Sequence, residues 1–297
     1  MLPVSIVIPT YNRARLIREV LPSYLLQGCA EIVIVDDASN PQVQVESRDS
    51  ATVTIIRTAR RQQQPRSRMN GARHATQEFL FFGEDDAYLS PGCISSLLSW
   101  LERGTADIVA PQWITTRSLP SDPPRPPAGA PAWQTADVID PTYFRIFCSD
   151  RIPQTPIPVP WLHTTALMRQ RVVLELGFDP AYRGNAYREE TDFYLRAHRS
   201  GIKLAYVPGP PAFHYKGSLN TGGGQHGRNL KSFLWYEYWV ARNNYYFLRK
   251  HRRALELEGR RTHPFSETTH MMCSRMLHYP GRLLPEFRHF VSPDNRS

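Results

Sequence analysis

Apolar positions along the chain fall into two alternating periods. Val4-Ser5-Ile6-Val7-Ile8-Pro9 is β-branched and almost uninterrupted, and it runs into Thr10-Tyr11-Asn12-Arg13. A run of this kind predicts a strand buried on both faces that opens into a loop. From about Ala14 to Gln27, residues Leu16, Ile17, Val20, Leu21, Tyr24 and Leu25 repeat at helical spacing. Glu31-Ile32-Val33-Ile34-Val35 predicts a second buried strand, ending on Asp36-Asp37. Strand, helix and strand in this order, joined by a right-handed crossover, begin a doubly wound α/β sheet.

The alternation continues along the chain. Val53 to Arg57 predicts a third strand, Asn70 to Gln77 a helix, and Glu78 to Phe82 a fourth strand leading into Gly83-Glu84-Asp85-Asp86. Ile94 to Arg103 is amphipathic, and Asp107 to Ala110 predicts a further strand. Beyond residue 115 prolines dominate, clustered from Leu119 to Pro131 and from Pro153 to Pro160, which predicts long loops. The pattern returns in Trp161 to Met168, then in helices from Arg169 to Leu176 and Glu189 to Ser200, and in a strand from Lys203 to Val207. Asn229 to Glu258 reads as one aromatic-rich helix, whereas the last thirty residues carry no signal. The expected fold class is α/β, with a Rossmann-like, mostly parallel central sheet flanked by helices. Residues 1–225 would form the main domain and 226–297 a helical, aromatic and basic extension.

With 297 residues and a hydrophobic share of 41%, the chain can bury a sizeable core. Its net charge of +9 points to anionic partners. Much of the excess sits at Arg249, Lys250, Arg252, Arg253, Arg260 and Arg261. These read either as a solvated helical face or as a membrane-surface or acceptor-binding patch. Cys29, Cys93, Cys148 and Cys273 show no metal-site spacing, so free buried thiols in a reducing compartment are expected. The start lacks signal-peptide features, and no run of about 18 apolar residues exists. The expected location is therefore cytoplasmic, with peripheral contact at the inner membrane face through the basic C-terminus. No RNP-like, zinc-finger or helix-turn-helix spacing points to nucleic acid.

The chemistry gathers at strand ends. Open α/β sheets bind ligands beyond the carboxyl ends of their strands. Three such ends carry Thr10-Tyr11-Asn12, Asp36-Asp37 and Glu84-Asp85-Asp86. Neighbouring acidic residues are costly unless cations or hydrogen-bond donors meet them. A divalent metal bridging diphosphate oxygens would do so.

Here the sequence resembles the family 2 glycosyltransferases of GT-A fold. The resemblance rests on Val4 to Arg13, on Ile32-Val33-Ile34-Val35-Asp36-Asp37-Ala38-Ser39, and on Phe81-Phe82-Gly83-Glu84-Asp85-Asp86 followed by Pro91-Gly92. Gly177-Phe178-Asp179 and Glu189-Glu190-Thr191-Asp192-Phe193 with Arg196 and Gly201 complete it, in order. It implies inverting transfer of a sugar from a nucleoside-diphosphate sugar, UDP or dTDP preferred, to a hydroxyl on a glycan or lipid-linked acceptor. Residues 1–115 would be the nucleotide-binding half and 116–225 the acceptor half.

The resemblance also implies residue roles. Pro9, Thr10, Tyr11 and Asn12 would line the donor site, with Tyr11 against the base. Asp37 would accept a hydrogen bond from the base, and Arg68 would contact base or phosphate, although Met69 stands where the family has asparagine. Asp86 would bind Mn2+ or Mg2+, with Asp85 nearer the ribose or sugar and Gly83 replacing a first aspartate. His214 would complete the metal shell, with His226 and His163 as weaker alternatives, and Lys216 would approach the diphosphate. Glu190 would be the catalytic base, with Glu189 as the adjacent alternative and Asp192 bracing the loop or touching acceptor. The glycine-rich Thr221 to Gly227 suits a lid. The aromatic stretch from Tyr236 to Phe247 suits packing on the core. A nucleotidyltransferase is disfavoured because Pro9 to Arg13 contains no glycine. A nonenzymatic nucleotide-sugar-binding protein is the remaining alternative.

Overall fold

The computed structural model describes residues 1–45, 53–119, 138–146, 154–217 and 230–277. The chain divides into two compact units, Met1–Tyr182 with Glu189–Gly224, and Arg183–Arg188 with Gln225–Ser297.

The first unit begins with β1 (Leu2–Thr10), α1 (Ala14–Leu25), β2 (Cys29–Asp36), β3 (Val53–Arg57), α2 (Gln64–His74) and β4 (Phe79–Phe82). It continues with β5 (Ala87–Leu89), α3 (Cys93–Glu102), β6 (Ile108–Ala110), β7 (Trp113–Thr116) and the short pair β8 (Ile139–Asp140) and β9 (Arg145–Ile146). After β10 (Ile157–Pro158) come β11 (Leu167–Arg169), α4 (Gln170–Leu176), α5 (Glu189–Arg199), β12 (Leu204–Tyr206) and β13 (Ala212–Tyr215). The central sheet has the order β10-β12-β6-β11-β4-β1-β2-β3. The strands β12, β6, β4, β1, β2 and β3 run one way, while β10 and β11 oppose them. The mostly parallel α/β sheet expected from the sequence is thus present.

Packing explains why β1 and β2 read as unbroken apolar runs. Val4, Ile6, Val7 and Ile8 are buried, as are Ile32, Val33, Ile34 and Val35, because both sheet faces are covered. On one face Leu16, Ile17, Val20 and Tyr24 of α1 join Ile6, Ile8 and Ile34 in a single cluster. On the other, α2 approaches so closely that a Cβ on Gly71 would lie 2.3 Å from Val7 Cγ1 and 3.0 Å from Val35 Cγ2.

Several elements depart from the sequence expectation. Helix α2 starts at Gln64 rather than near Asn70, since its buried face includes the polar Ser67 and Arg68 and so hides the apolar period. A second sheet, β5-β13-β7, leaves no mark in the apolar pattern, because its strands have three or four residues each. In the second unit, α6 (Leu230–Leu257) is followed by α7 (Pro264–Leu277), in a region where no signal was read. Pro264 opens α7, and Glu267 accepts a hydrogen bond from the His263 amide at 2.8 Å. Cys29 and Cys93 are buried and free, Cys273 is free but exposed, and Cys148 lies outside the described residues.

Within the second unit, Asn243 is fully buried and donates to the Arg183 carbonyl at 2.8 Å. Glu237 is held by Arg275 through bonds of 2.7 and 2.8 Å. Along α6, Val240 and Phe247 are buried, whereas Trp235, Tyr238 and Tyr245 are exposed.

Gly71→Ala should lower stability by about 1–3 kcal/mol, as overpacking of a filled core does. Denaturant unfolding of the purified chain checks this, and an unchanged midpoint would contradict the close approach of α2.

Candidate active site

Strand register brings the acidic residues together. Thr10 of β1 pairs with Asp36 of β2, and Val7 pairs with Phe82 of β4, so the ends of these strands share one edge. Strand order reverses between β4 and β1, the kind of switch point at which α/β sheets leave a crevice. Because β11 runs antiparallel to β4, the segment entering it arrives at the same edge, where the Ala166 carbonyl accepts from the Phe82 amide. That segment carries Thr164. The small sheet places His214 opposite Ala87, and the Tyr215 amide donates to the Asp86 carbonyl at 2.7 Å.

Glu84, Asp86 and His214 form the candidate metal group, each offering one ligand atom within 4.8 Å of the others. His214 Nε2 lies 3.7 Å from Asp86 Oδ2. Glu84 is an addition to the sequence reading, which gave the metal to Asp86 and His214. Its backbone is fixed by the buried Tyr24 hydroxyl, which accepts from the Glu84 amide at 3.1 Å and donates to its carbonyl at 2.9 Å. The same ring explains Gly83, since a Cβ there would come within 2.9 Å of Tyr24 and 3.0 Å of Ile8. An aspartate at 83 has no room, and Glu84 brings its longer side chain to the group from the next position. Burial pushes Glu84 up to about 7, reinforced by Asp86 and opposed by Arg68.

Arg13 is the inner counter-ion. Its Nη1 lies 2.6 Å from Asp85 Oδ1 and 3.0 Å from Asp86 Oδ2. Burial alone would lower the guanidinium pKa, but Asp85 and Asp86 raise it above its ordinary value. Asp85 is raised by burial and opposed by Arg13. Asp85 therefore pairs with Arg13 and lies outside the candidate metal group.

Arg68 does not present itself to a crevice. It is fully buried, pairs with Glu189, and donates to Glu84 Oε1 at 3.3 Å and to Thr164 Oγ1 at 3.1 Å. The resemblance implies a contact with base or phosphate; the structure places Arg68 as a buried bridge between the ends of β4 and α5. Thr164 in turn hydrogen-bonds Glu190 Oε2. Since Thr164 accepts from Arg68, its single hydroxyl proton points at Glu190. Glu189 is buried and pushed up to about 8 by desolvation, with Arg68 opposing. Glu190, one residue on, is half-buried.

Asp192 is also fully buried, accepting from Arg196 Nε at 2.9 Å and from the Tyr182 hydroxyl at 3.3 Å. Arg196 donates onward to the carbonyls of Leu176 and Gly177 at 2.7 and 2.6 Å. The acid acts on the end of α4 and has no surface to offer an acceptor.

The loops at the ends of β1 and β2 interlock. The Asn12 amide donates to Ser39 Oγ at 2.9 Å, and the Asn40 amide to Asn12 Oδ1 at 2.8 Å. Asn12, Ala38 and Gln63 adopt φ of 55°, 62° and 72°, an unusual concentration of left-handed backbone. Asp37 accepts from Thr58 Oγ1 at 3.0 Å and from the amides of Gln62 and Gln63 at 2.7 and 2.8 Å. Tyr11 is half-buried, as is Pro9, and the Arg61 guanidinium lies 4.2 Å above the Tyr11 ring. Thr10 is buried.

His163 stacks at a tilt on Trp113 at 5.4 Å, and burial lowers it to about 3, so it stays neutral outside the metal group. Lys216 is exposed, two residues past His214. His226 and the glycine-rich segment from Thr221 to Gly227 lie outside the described residues. Arg13 and Glu84 stood in quoted motifs without assigned roles, whereas nothing in the sequence singled out Thr164.

An uncharacterised glycosyltransferase of Haemophilus influenzae is 36% identical over 101 residues, 33% of this chain and 34% of the relative. The chain thus matches about a third of that relative's length. Crystal structures of TarS 1-349 from S. aureus superpose with TM-scores of 0.51 in complex with UDP-GlcNAc and 0.50 with UDP. Each is 14% identical and covers 85% of this chain and 72% of the other, a likeness of fold. The sequence profile described as glycosyl transferase family 2 matches residues 5–177, more than half of the chain. With that match laid over a GT-A sheet whose strand ends gather the acidic residues, the chain belongs to glycosyl transferase family 2.

Proposed function

We propose that the protein is an inverting, metal-dependent glycosyltransferase that moves a sugar from a nucleoside diphosphate to a hydroxyl acceptor in glycan biosynthesis. The observation that carries the reading is the grouping of Glu84, Asp86 and His214 at the switch point, joined to Glu190 through Arg68 and Thr164. Two carboxylates and an imidazole suit Mn2+ and, less well, Mg2+. A bound divalent cation supplies charge neutralisation for the departing diphosphate.

Glu190 takes the proton of the acceptor hydroxyl as its oxygen bonds to the anomeric carbon and the bond to the diphosphate breaks. Thr164 holds Oε2, which leaves Oε1 for the acceptor. Glu189 serves as the anchor for Arg68, because it is buried against the guanidinium. Asp192 positions the loop after α4 through Arg196. Tyr11 and Asp37 line the base side, Tyr11 by stacking. UDP is our preferred donor nucleotide, which the UDP complexes of TarS support only by analogy of fold. A cytoplasmic setting accords with free Cys29 and Cys93.

A thermal-shift panel of UDP, dTDP, GDP and their sugars, each with and without Mn2+, tests the reading; stabilisation by none of them would overturn it. Glu190→Gln should cut turnover by about 10²-fold or more, while calorimetry shows nucleotide affinity in Mn2+ within a factor of two or so of wild type. Undiminished turnover would move the base elsewhere.

Metal affinity should depend on pH through Glu84. Proton and cation compete for its carboxylate, so Mn2+ affinity should rise as pH climbs toward about 7 and flatten above it. Glu84→Gln should reduce that rise and weaken binding overall. Because the folded pKa is raised, the metal-free protein should also lose stability as pH rises from the ordinary carboxylate range to about 7. Titrations of Mn2+ and of denaturant across this window check both signs.

A further inference from the structure

The second unit carries an exposed apolar surface that has no role in the proposed chemistry. On a helix with 3.6 residues per turn, Val240, Asn243, Phe247, His251 and Leu255 of α6 share one face and are buried. The opposite face presents Leu234, Trp235, Tyr238 and Tyr245, exposed by 53%, 36%, 61% and 40%. Further along the same stripe stand exposed Arg249 and Arg253. A water-facing helix side is ordinarily charged, so a stripe of leucine, tryptophan and tyrosine there marks an interaction surface.

This face is fixed rather than loosely packed. The buried side of α6 is held by Asn243 on the Arg183 carbonyl, by Glu237 on Arg275, and by Asn244 on Thr268 at 3.1 Å. The helix cannot roll to bury its aromatic stripe without breaking these bonds. Its charge surroundings select the partner. Residues 225–297 hold 13 of the 36 Lys and Arg but 6 of the 27 Asp and Glu, so most of the net charge of +9 belongs to this stretch.

We propose that the exposed face of α6 docks in plane on an anionic lipid bilayer. Trp235 and Tyr238 have the apolar body and polar tip that suit the headgroup boundary. Arg249 and Arg253 can lay their stems along the apolar zone and keep their guanidinium groups among anionic headgroups. The helix lies on the surface and does not span it, since no described helix is long and apolar enough to cross a membrane.

Cosedimentation of the full chain with vesicles tests the proposal. Binding is expected with mixed phosphatidylglycerol–phosphatidylcholine vesicles, with little on pure phosphatidylcholine, and it should weaken with salt. Arg249→Glu with Arg253→Glu should reduce it about 25-fold or more, since each basic residue contributes roughly fivefold near such a surface. Trp235→Ser with Tyr238→Ser should reduce it similarly, with both variants matching the wild-type thermal transition. Should one pair disturb folding, the other still decides. Absent binding to anionic vesicles, or equal binding by a folded variant, would overturn the proposal. So would a dimer in sedimentation analysis that the Trp235 and Tyr238 substitutions dissociate, because the face would then belong to a second copy.

Discussion

The pairing of Arg68 with Glu189, extended to Glu84 and Thr164, is the interaction on which the rest of the site depends. A fully buried guanidinium is expensive unless carboxylates meet it, and buried carboxylates are expensive unless a cation meets them. Here one cation touches two carboxylates from distant parts of the chain, 16 and 121 residues away. It therefore ties the end of β4 to the first turn of α5 by charge, beside the aromatic contacts of Phe178 with Phe82 and Phe193. Removing it would leave both acids uncompensated, so the position is unlike a surface arginine, for which substitution costs little.

Charge balance supports the proposal of a cation beside Asp86. Glu84, Asp85, Asp86, Glu189 and Glu190 crowd one edge of the sheet, where Arg13 pairs with Asp85 and Asp86, Arg68 with Glu84 and Glu189, and His214 stands beside Asp86. The result shows in Glu84, which burial and Asp86 raise to about 7 despite Arg68. A site that leaves a carboxylate this far above its usual range retains affinity for positive charge. The scaffold sets the location: Tyr24 and Ile8 close the space beside Gly83, so the carboxylate comes from residue 84 and from Asp86.

Much of this was legible from sequence because the parallel strands are buried on both faces and announce themselves as apolar runs. Val53–Arg57 matches the expected strand, and β1, β2, β4 and α5 fall within a residue or two of expectation. Polar burial was what periodicity could not see. Helix α2 starts earlier than its apolar period predicts because Ser67 and Arg68 occupy its inner face, and Arg68 itself is sealed in the interior. Short strands were equally invisible: β5, β7 and β13 are too brief to show alternation, yet they deliver His214 to Asp86. Thr164 could not be found at all, since a lone threonine in a loop acquires meaning only when antiparallel β11 carries it to the same edge as β4.

The two adjacent glutamates show how local geometry separates roles that sequence leaves equal. Both begin α5, where the helix dipole favours negative charge. Consecutive helix positions point about 100° apart, so Glu189 turns inward to Arg68 while Glu190 stays half-buried against Thr164. A base must meet its substrate and exchange its proton with it. Glu189 is sealed against a guanidinium and meets neither condition, whereas Glu190 has one oxygen held by a hydroxyl and surface to offer. The inward acid fixes Arg68, Arg68 orients Thr164, and Thr164 holds the outward acid; in the reaction we propose, that inward neighbour is what gives Glu190 its direction.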